Sequence, residues 1–279
     1  MTDRFSTFSF VDRITALEDG RWARGRFAIP AGLPGFSTCL VAEAVGQLAA
    51  WVAMAQAEFR RRPLAALSGE TRIVREAAPG EFLDLGVEIE SCDPDAILFG
   101  GWARVADAPV LELCGCVGLM LPLEEFDAPE AVRQDFETLC GPGARPSRFP
   151  GITAPDLSLI DRIPGRRLRA SMRVPVSSAP FFDDHFPRRP VFPATLLLDA
   201  EIRLAVQLAE ETLPAGQRFR AARVADAKMR AFILPGQAVE IEAEMRSATD
   251  GAAELTLAAT AEGKRVATGR MEIVSLGPG

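Results

Sequence analysis

The sequence predicts an α+β chain made of two copies of one unit, each a long apolar helix wrapped by antiparallel strands. Two observations carry this reading. First, the chain repeats itself: Leu33-Pro34-Gly35-Phe36-Ser37-Thr38-Cys39-Leu40-Val41-Ala42-Glu43-Ala44 is echoed by Arg189-Pro190-Val191-Phe192-Pro193-Ala194-Thr195-Leu196-Leu197-Leu198-Asp199-Ala200. The register is constant at 156 positions from Pro34 to Pro190, Phe36 to Phe192, Leu40 to Leu196 and Glu43 to Asp199, and it holds for Pro79-Gly80 against Pro235-Gly236 and Val110 against Val266. A fixed internal period signals a duplicated structural unit. Second, within each copy one helix-length apolar run is followed by stretches of period-2 alternation.

Each copy opens with a similar phrase, Phe10-Val11-Asp12-Arg13-Ile14 and Leu159-Ile160-Asp161-Arg162-Ile163, here separated by 149 positions, so about seven residues are absent from the first copy between Ile14 and Pro34. Residues 39–59 hold Ala, Leu, Val and Met around nearly the whole helical circumference with Gly46 as the sole Gly or Pro, as expected of a helix buried on most sides. Ser37 or Thr38 is placed to cap it, and Thr195 to cap its second copy. After the helix, Pro-Gly turns introduce Phe82–Ile89 and Val239–Glu244, with further strands at about 96–106 and 109–121, then 252–262 and 264–274. Between the copies, Pro122 to about Asp156 combines a helix-like piece, Pro129 to Leu139, with Pro/Gly-rich stretches that mark a connector. The expected organisation is a unit at 1–122, a connector at 123–156 and a unit at 157–279.

The composition agrees with a soluble globular protein: 279 residues, 48% apolar and 25% charged. With Lys+Arg 31 against Asp+Glu 38 the net charge is −7, so nucleic acid is not an expected partner. No run of about 18 uninterrupted apolar residues and no basic, apolar leader is present, so the expected location is cytoplasmic, without a membrane span. Five cysteines, odd in number and without paired CxxC spacing, argue against a disulfide framework and a zinc site and read as reduced, mostly buried thiols. No metal site or glycine-rich phosphate loop is expected. The single histidine, His185, limits imidazole chemistry to one site per chain.

The stretch His185-Phe186-Pro187-Arg188-Arg189-Pro190-Val191-Phe192-Pro193-Ala194-Thr195-Leu196-Leu197-Leu198-Asp199-Ala200 resembles the active-site signature of the β-hydroxyacyl-acyl carrier protein dehydratases of FabA/FabZ type, H-F-P-G-x-P-V-M-P-G-x-L-x-x-[DE]-A. The resemblance implies a double hot-dog fold, with each central helix wrapped by a curved sheet and the two units paired. It also implies an active site between the units, with His185 of the second meeting Glu43 of the first. The reciprocal site, with Asp199, lacks its histidine, so one functional site per chain is expected. Two departures stand out: Ala194 occupies a glycine position, and Arg188 replaces the glycine after His-Phe-Pro. The first copy has Ser37-Thr38 where Pro-Gly is usual.

The implied reaction is loss of water from a 3-hydroxyacyl thioester to give a trans-2-enoyl thioester, without a cofactor, in fatty acid or related lipid or polyketide synthesis. His185, titrating near neutrality, suits removal of the α-proton, and Glu43, in apolar surroundings that raise its pKa, suits protonation of the departing hydroxyl. Backbone amides at Ala194 and Thr195, at a helix start, are placed to polarise the thioester carbonyl, with Pro190, Phe192 and Pro193 shaping that loop. Gln47, four residues beyond Glu43, leaves its carboxyl free to hold a proton, whereas Arg203, four beyond Asp199, neutralises the silent site. Arg188 and Arg189 are candidates for docking an acidic acyl carrier protein or its phosphopantetheine phosphate. The Arg60-Arg61-Arg62 run serves that role or ends the helix. Cys39 starts the helix of Glu43, a position that favours a thiolate. A chain with both units can act as a monomer, an internal pseudo-dimer. Alternative readings are enoyl-CoA hydration, thioester hydrolysis, or a non-catalytic acyl- or carrier-binding protein.

Overall fold

A computed structural model describes residues 5, 7–146, 149–176, 179–213, 217–249 and 251–278. Helix α1 (Thr38–Gln56) starts where Ser37, in extended backbone, accepts a hydrogen bond from the Cys39 amide at 3.2 Å. Its 19 residues bury Leu40, Val41, Ala44, Val45, Leu48 and Val52 against the concave face of a sheet. By length and apolarity α1 would also suit a bilayer, but here strands and a second helix enclose it. The helix stops three residues short of Phe59, because Glu58 and Phe59 both take positive φ (51° and 59°) and turn the chain into β3 (Arg61–Ile73). Arg61 and Arg62 therefore belong to a strand and do not end the helix as expected.

The first unit contains β1 (Arg13–Glu18), β2 (Trp22–Ala28), α1, β3, β4 (Phe82–Cys92), β5 (Ala96–Val105) and β6 (Ala108–Pro122). The connector carries α2 (Pro129–Cys140), with proline at its first turn. The second unit contains β7 (Ser158–Ile163), β8 (Arg167–Arg173), α3 (Ala194–Thr212), β9 (Gln217–Met229), β10 (Ala238–Ala248), β11 (Ala252–Ala261) and β12 (Lys264–Pro278). Burial alternates along the strands, as in Leu168, Ala170 and Met172 of β8, so one face meets the helix and the other meets solvent.

All twelve strands form one antiparallel sheet in the order β1-β2-β4-β5-β6-β3-β9-β12-β11-β10-β8-β7. The order is the same read outward from the β3–β9 seam in either direction, which is the signature of two hot-dog units paired side by side. The seam strands are among those that the period-2 reading missed. β3 and β9 are half-buried along much of their length, because each faces a helix on one side and its counterpart along one edge, which blurs the alternation.

Strand pairing revises the count of missing residues. Trp22 faces Glu88 as Arg167 faces Glu244, so the copies align at 145 positions before the helix and at 156 within it. Nine residues separate β2 from α1 and twenty separate β8 from α3, so the second copy has eleven extra residues rather than seven. The two Asp-Arg-Ile phrases are not equivalent either. Asp12 precedes β1 and accepts the Ala28 amide at 2.7 Å, whereas Asp161 lies within β7 and pairs with Arg167 at 2.6 Å. All eleven extra residues fall in the loop that carries His185.

Sheet and helix approach closely at Gly101 on β5. A β-carbon there would lie 2.5 Å from Val45 Cγ1 on α1 and 2.7 Å from the Gly86 carbonyl oxygen. Gly101→Ala should overpack this contact and lower unfolding free energy by about 2 kcal/mol, read as a lower urea midpoint at unchanged m-value.

Candidate active site

One cavity of about 600 Å³ opens between the two units. Glu43 and Gln47 reach it from α1, His185 from the extended loop, Ala194 and Thr195 from the start of α3, and Arg62 from β3.

The Glu43 carboxyl is held from both units. Thr195 donates its hydroxyl to Oε2 at 2.8 Å, and Gln47 donates Nε2 to Oε1 at 3.0 Å. Gln47 is itself fixed, donating to the Phe8 carbonyl at 2.9 Å and accepting the Phe10 amide at 2.8 Å. Burial pushes the Glu43 pKa up; the Thr195 and Gln47 hydrogen bonds and the Arg62 charge oppose it without cancelling it. Thr195 was expected to cap α3. It lies inside the first turn instead, Pro193 occupies the cap without a side-chain hydrogen bond, and the threonine hydroxyl is directed at Glu43.

His185 follows a short 3-10 turn, Pro180–Asp183, and its amide donates to the Phe181 carbonyl at 3.1 Å. The imidazole sits between the Phe8 ring, edge-on at 5.0 Å, and the Phe186 ring at 4.0 Å. Burial, reinforced by the positive charge of Arg62, holds its pKa well below the usual histidine value and favours the neutral ring. Phe186 adopts φ of 63°, a costly conformation for an aromatic residue. It is clamped by the Phe126 ring at 5.2 Å, the Arg62 guanidinium at 4.5 Å and the Arg189 amide, which donates to its carbonyl at 3.0 Å.

Two residues of this site, Asp184 and Phe8, escaped the sequence reading, and a third, Arg62, was read there only as part of a docking or helix-ending run. Asp184 accepts the amides of Thr7 and Phe8 at 2.7 and 3.0 Å and the Ser9 hydroxyl at 3.4 Å, tying the chain start to the histidine loop. Phe8 packs on the imidazole as a result, and Arg62 acts electrostatically on both Glu43 and His185. A carboxylate beside the histidine was the available signal, but its partners lie some 176 residues away.

The start of α3 faces the same cavity. Phe192 is buried, with its amide donating to the Ile233 carbonyl at 2.8 Å, and the Pro193 carbonyl accepts the amides of Leu196 and Leu197. The preceding amides, of Ala194 and Thr195, have no carbonyl one turn back to receive them, as at any helix start. Pro190 is half-buried and stands outside the cavity wall.

On the opposite side of the helix pair, Asp199 accepts the Ser37 hydroxyl at 2.5 Å and lies 3.5 Å from Arg203 Nε, while Arg203 also donates to the Pro155 carbonyl at 2.9 Å. No imidazole stands there. Arg188 and Arg189 are exposed but engaged by the connector: Arg188 donates to the Glu124 carbonyl at 2.9 Å, and Arg189 pairs with Glu125 at 2.8 Å and stacks over Phe126 and Phe232. Cys39 does not favour a thiolate, because burial and the nearby Asp199 and Glu201 raise its pKa. Nor are the cysteines mostly buried: Cys39 and Cys116 are, whereas Cys114 and Cys140 are exposed.

Comparison with known proteins gives the family. A 3-hydroxyacyl-[acyl-carrier-protein] dehydratase FabZ from Yersinia enterocolitica is 31% identical over 133 residues, covering 45% of this chain and 75% of the relative. The chain belongs to the FabA/FabZ-type dehydratase family. Within that family, a FabZ from a Shewanella species is 33% identical over 109 residues, which span 36% of this chain and 66% of the relative's length. Residues 162–270 match the ApeI-like family, described as ApeI dehydratase.

Solved structures extend the likeness to the whole chain at the level of fold. A hot-dog-fold protein of unknown function from Alicyclobacillus acidocaldarius superposes with a TM-score of 0.55 at 13% identity, covering 96% of this chain and 98% of that one. An acyl-ACP thioesterase from Bacteroides thetaiotaomicron gives 0.54 at 10% identity over 90% and 97%. A Lactobacillus plantarum protein assigned as an oleoyl thioesterase gives 0.60 at 13% over 92% and 97%. These place a FabA/FabZ-type chain in the double hot-dog fold.

Because the Thr195 hydrogen bond favours the charged form of Glu43, Thr195→Val should raise the Glu43 pKa further. A pH titration of ¹³C-labelled glutamate side chains by NMR, with Glu43→Gln assigning the signal, reads the shift. The lost hydrogen bond should also cost about 1 kcal/mol of stability.

Proposed function

We propose that the protein is a 3-hydroxyacyl thioester dehydratase acting on acyl carrier protein substrates, with one active site per chain formed by His185 and Glu43. The observation that carries this reading is that the two side chains, from different units, open onto one apolar cavity whose burial keeps the base unprotonated and favours retention of a proton by the acid. Each shift is in the direction that elimination requires.

In this mechanism the acyl chain lies in the cavity and the thioester carbonyl points to the start of α3. There the amides of Ala194 and Thr195 and the helix dipole stabilise negative charge developing on the carbonyl oxygen. Neutral His185 removes a proton from C2. The C2–H electron pair becomes the C2–C3 double bond as the C3–O bond breaks, and protonated Glu43 delivers its proton to the departing oxygen, which leaves as water. The site then holds an imidazolium and a carboxylate, and transfer of one proton between them restores the starting state. Thr195 and Gln47 orient the carboxyl, and Asp184 and Phe8 orient the imidazole.

The opposite carboxylate takes no part: Asp199 is engaged by Ser37 and Arg203 and has no base opposite it. We assign the two units to 1–122 and 157–279, joined by 123–156, so that a single chain supplies both halves of the site. The exposed face bearing Arg188 and Arg189 is the proposed carrier-docking surface, and the proposed setting is the cytoplasm, in fatty acid or related lipid or polyketide synthesis.

Mass spectrometry of 3-hydroxyacyl-carrier substrates of several chain lengths tests the reading directly. The wild type should produce an 18 Da loss, His185→Ala and Glu43→Gln should lower the rate at least about 100-fold, and Asp199→Asn should leave it nearly intact. Release of free thiol without loss of water would assign a thioesterase instead, and carrier binding without turnover would assign a non-catalytic binding protein.

The pH profile has a determined sign. Turnover requires neutral His185, so kcat/KM falls as pH drops through its depressed pKa; it requires protonated Glu43, so kcat/KM also falls as pH rises through that raised pKa. Arg62 lowers both values, and Arg62→Met should therefore move both limbs of the profile to higher pH.

A further inference from the structure

Besides Glu43, a buried glutamate on the second central helix lines the same cavity and has no part in the elimination. Glu201 is on α3, is 5% exposed, and its Oε1 has no hydrogen-bond partner. Such a group is costly to bury and calls for an explanation. The fold does not supply one, because the equivalent position of the first unit, 156 residues earlier, is Val45, fully buried in an equivalent helix.

Its placement indicates what the carboxyl meets. Ala194, Leu198 and Glu201 follow one face of α3 into the cavity, and Glu201 is six residues beyond Thr195, about 9 Å along the helix axis. The surrounding wall is largely apolar, including Leu197, Met229, Ile233 and Ala267. A chain whose thioester is held at the start of α3, passing along this face, would meet a buried carboxyl with a partnerless oxygen beyond the reacting carbons.

We propose that Glu201 is a specificity-determining residue that hydrogen-bonds an oxygen substituent on the distal part of the acyl chain, so that the preferred substrate is an oxygen-bearing acyl thioester rather than a plain saturated one. This rests on the reading of the cavity as an acyl-thioester site. Burial raises the Glu201 pKa to about 8, so at neutral pH the carboxyl is largely protonated and can donate to a carbonyl oxygen or exchange hydrogen bonds with a hydroxyl. A site built around a buried polar group discriminates against ligands that leave it unpaired.

Binding and turnover test this separately. Unreactive S-alkyl pantetheine thioethers, either plain or with a hydroxyl or keto oxygen moved stepwise along the chain, are titrated against wild type, Glu201→Leu and Glu201→Gln by calorimetry. The wild type should bind one oxygenated position about five- to tenfold more tightly than the plain chain, as one neutral hydrogen bond allows. Glu201→Gln should keep most of that preference, and Glu201→Leu, which replaces an unpaired carboxyl with an apolar side chain of similar size, should fold and lose it. Absence of a preference at every position, persistence of it in Glu201→Leu, or failure of all the thioethers to bind would overturn the assignment. The matching 3-hydroxyacyl thioesters then read turnover: preference in binding without loss of water would overturn the dehydratase reading alone, whereas turnover without preference would overturn the role of Glu201 alone.

Discussion

The hydrogen bond from Thr195 to Glu43 joins two units whose corresponding residues lie 156 positions apart, and the site depends on the geometry that makes it possible. It requires α1 and α3 to lie side by side, which in turn requires β3 and β9 to pair as neighbours in one sheet. Neither unit alone brings Glu43 and His185 to one cavity. The seam is reinforced on its outer face by Arg223, which spans Glu70 of β3 at 2.8 Å and Glu272 of β12 at 2.7 Å. Exposed pairs of this kind contribute little individually; the antiparallel ladder between β3 and β9 and the apolar packing of both helices hold the units together.

Duplication within one chain releases the two halves from identical roles. Glu43 and Asp199 each receive a hydroxyl from the opposite helix, Thr195 in one case and Ser37 in the other. The next turn of each helix then separates them. Gln47 is neutral and anchored to the backbone of Phe8 and Phe10, so Glu43 can hold a proton, whereas Arg203 places a cation beside Asp199. The eleven-residue insertion is likewise confined to the second unit. It supplies the histidine, and through Asp184 it captures residues 7–9, which complete the pocket around the imidazole.

Much of this was legible in the sequence, and the limits have physical causes. The repeat, the two central helices and the strands after the Pro-Gly turns follow local periodicity, so their positions emerged within a few residues. The seam strands did not, because β3 and β9 face different surroundings on each side and along each edge, which erases simple alternation. The meeting of His185 and Glu43 at one cavity was legible through the sixteen-residue signature and the repeat register. The partnership of Asp184 with Thr7 and Phe8, and the electrostatic role of Arg62, were not. Each depends on the closing of loops that leave no periodic trace, and a run of three arginines reads as a surface feature until the fold turns its last member into the cavity. Thr195 was misread for a related reason: a hydroxyl at a helix start is normally a cap, and only the second helix shows that it has another acceptor.

Burial and charge act differently on Glu43 and His185, and the difference explains why an apolar cavity suits the proposed chemistry. Desolvation opposes both ionised forms, raising the pKa of Glu43 and lowering that of His185, so it selects the neutral acid and neutral base together. The Arg62 cation lowers both values, which helps to keep the base ready but weakens retention of the proton on the acid. Arg62 alone would therefore shift the working range without opening it; the width of that range comes from desolvation. In the proposed reaction the same cavity would hold, after elimination, an imidazolium and a carboxylate, the pair that burial disfavours unless it is closely compensated. Removing those charges by proton transfer is then downhill, so the apolar wall that prepares the acid and the base also favours their regeneration.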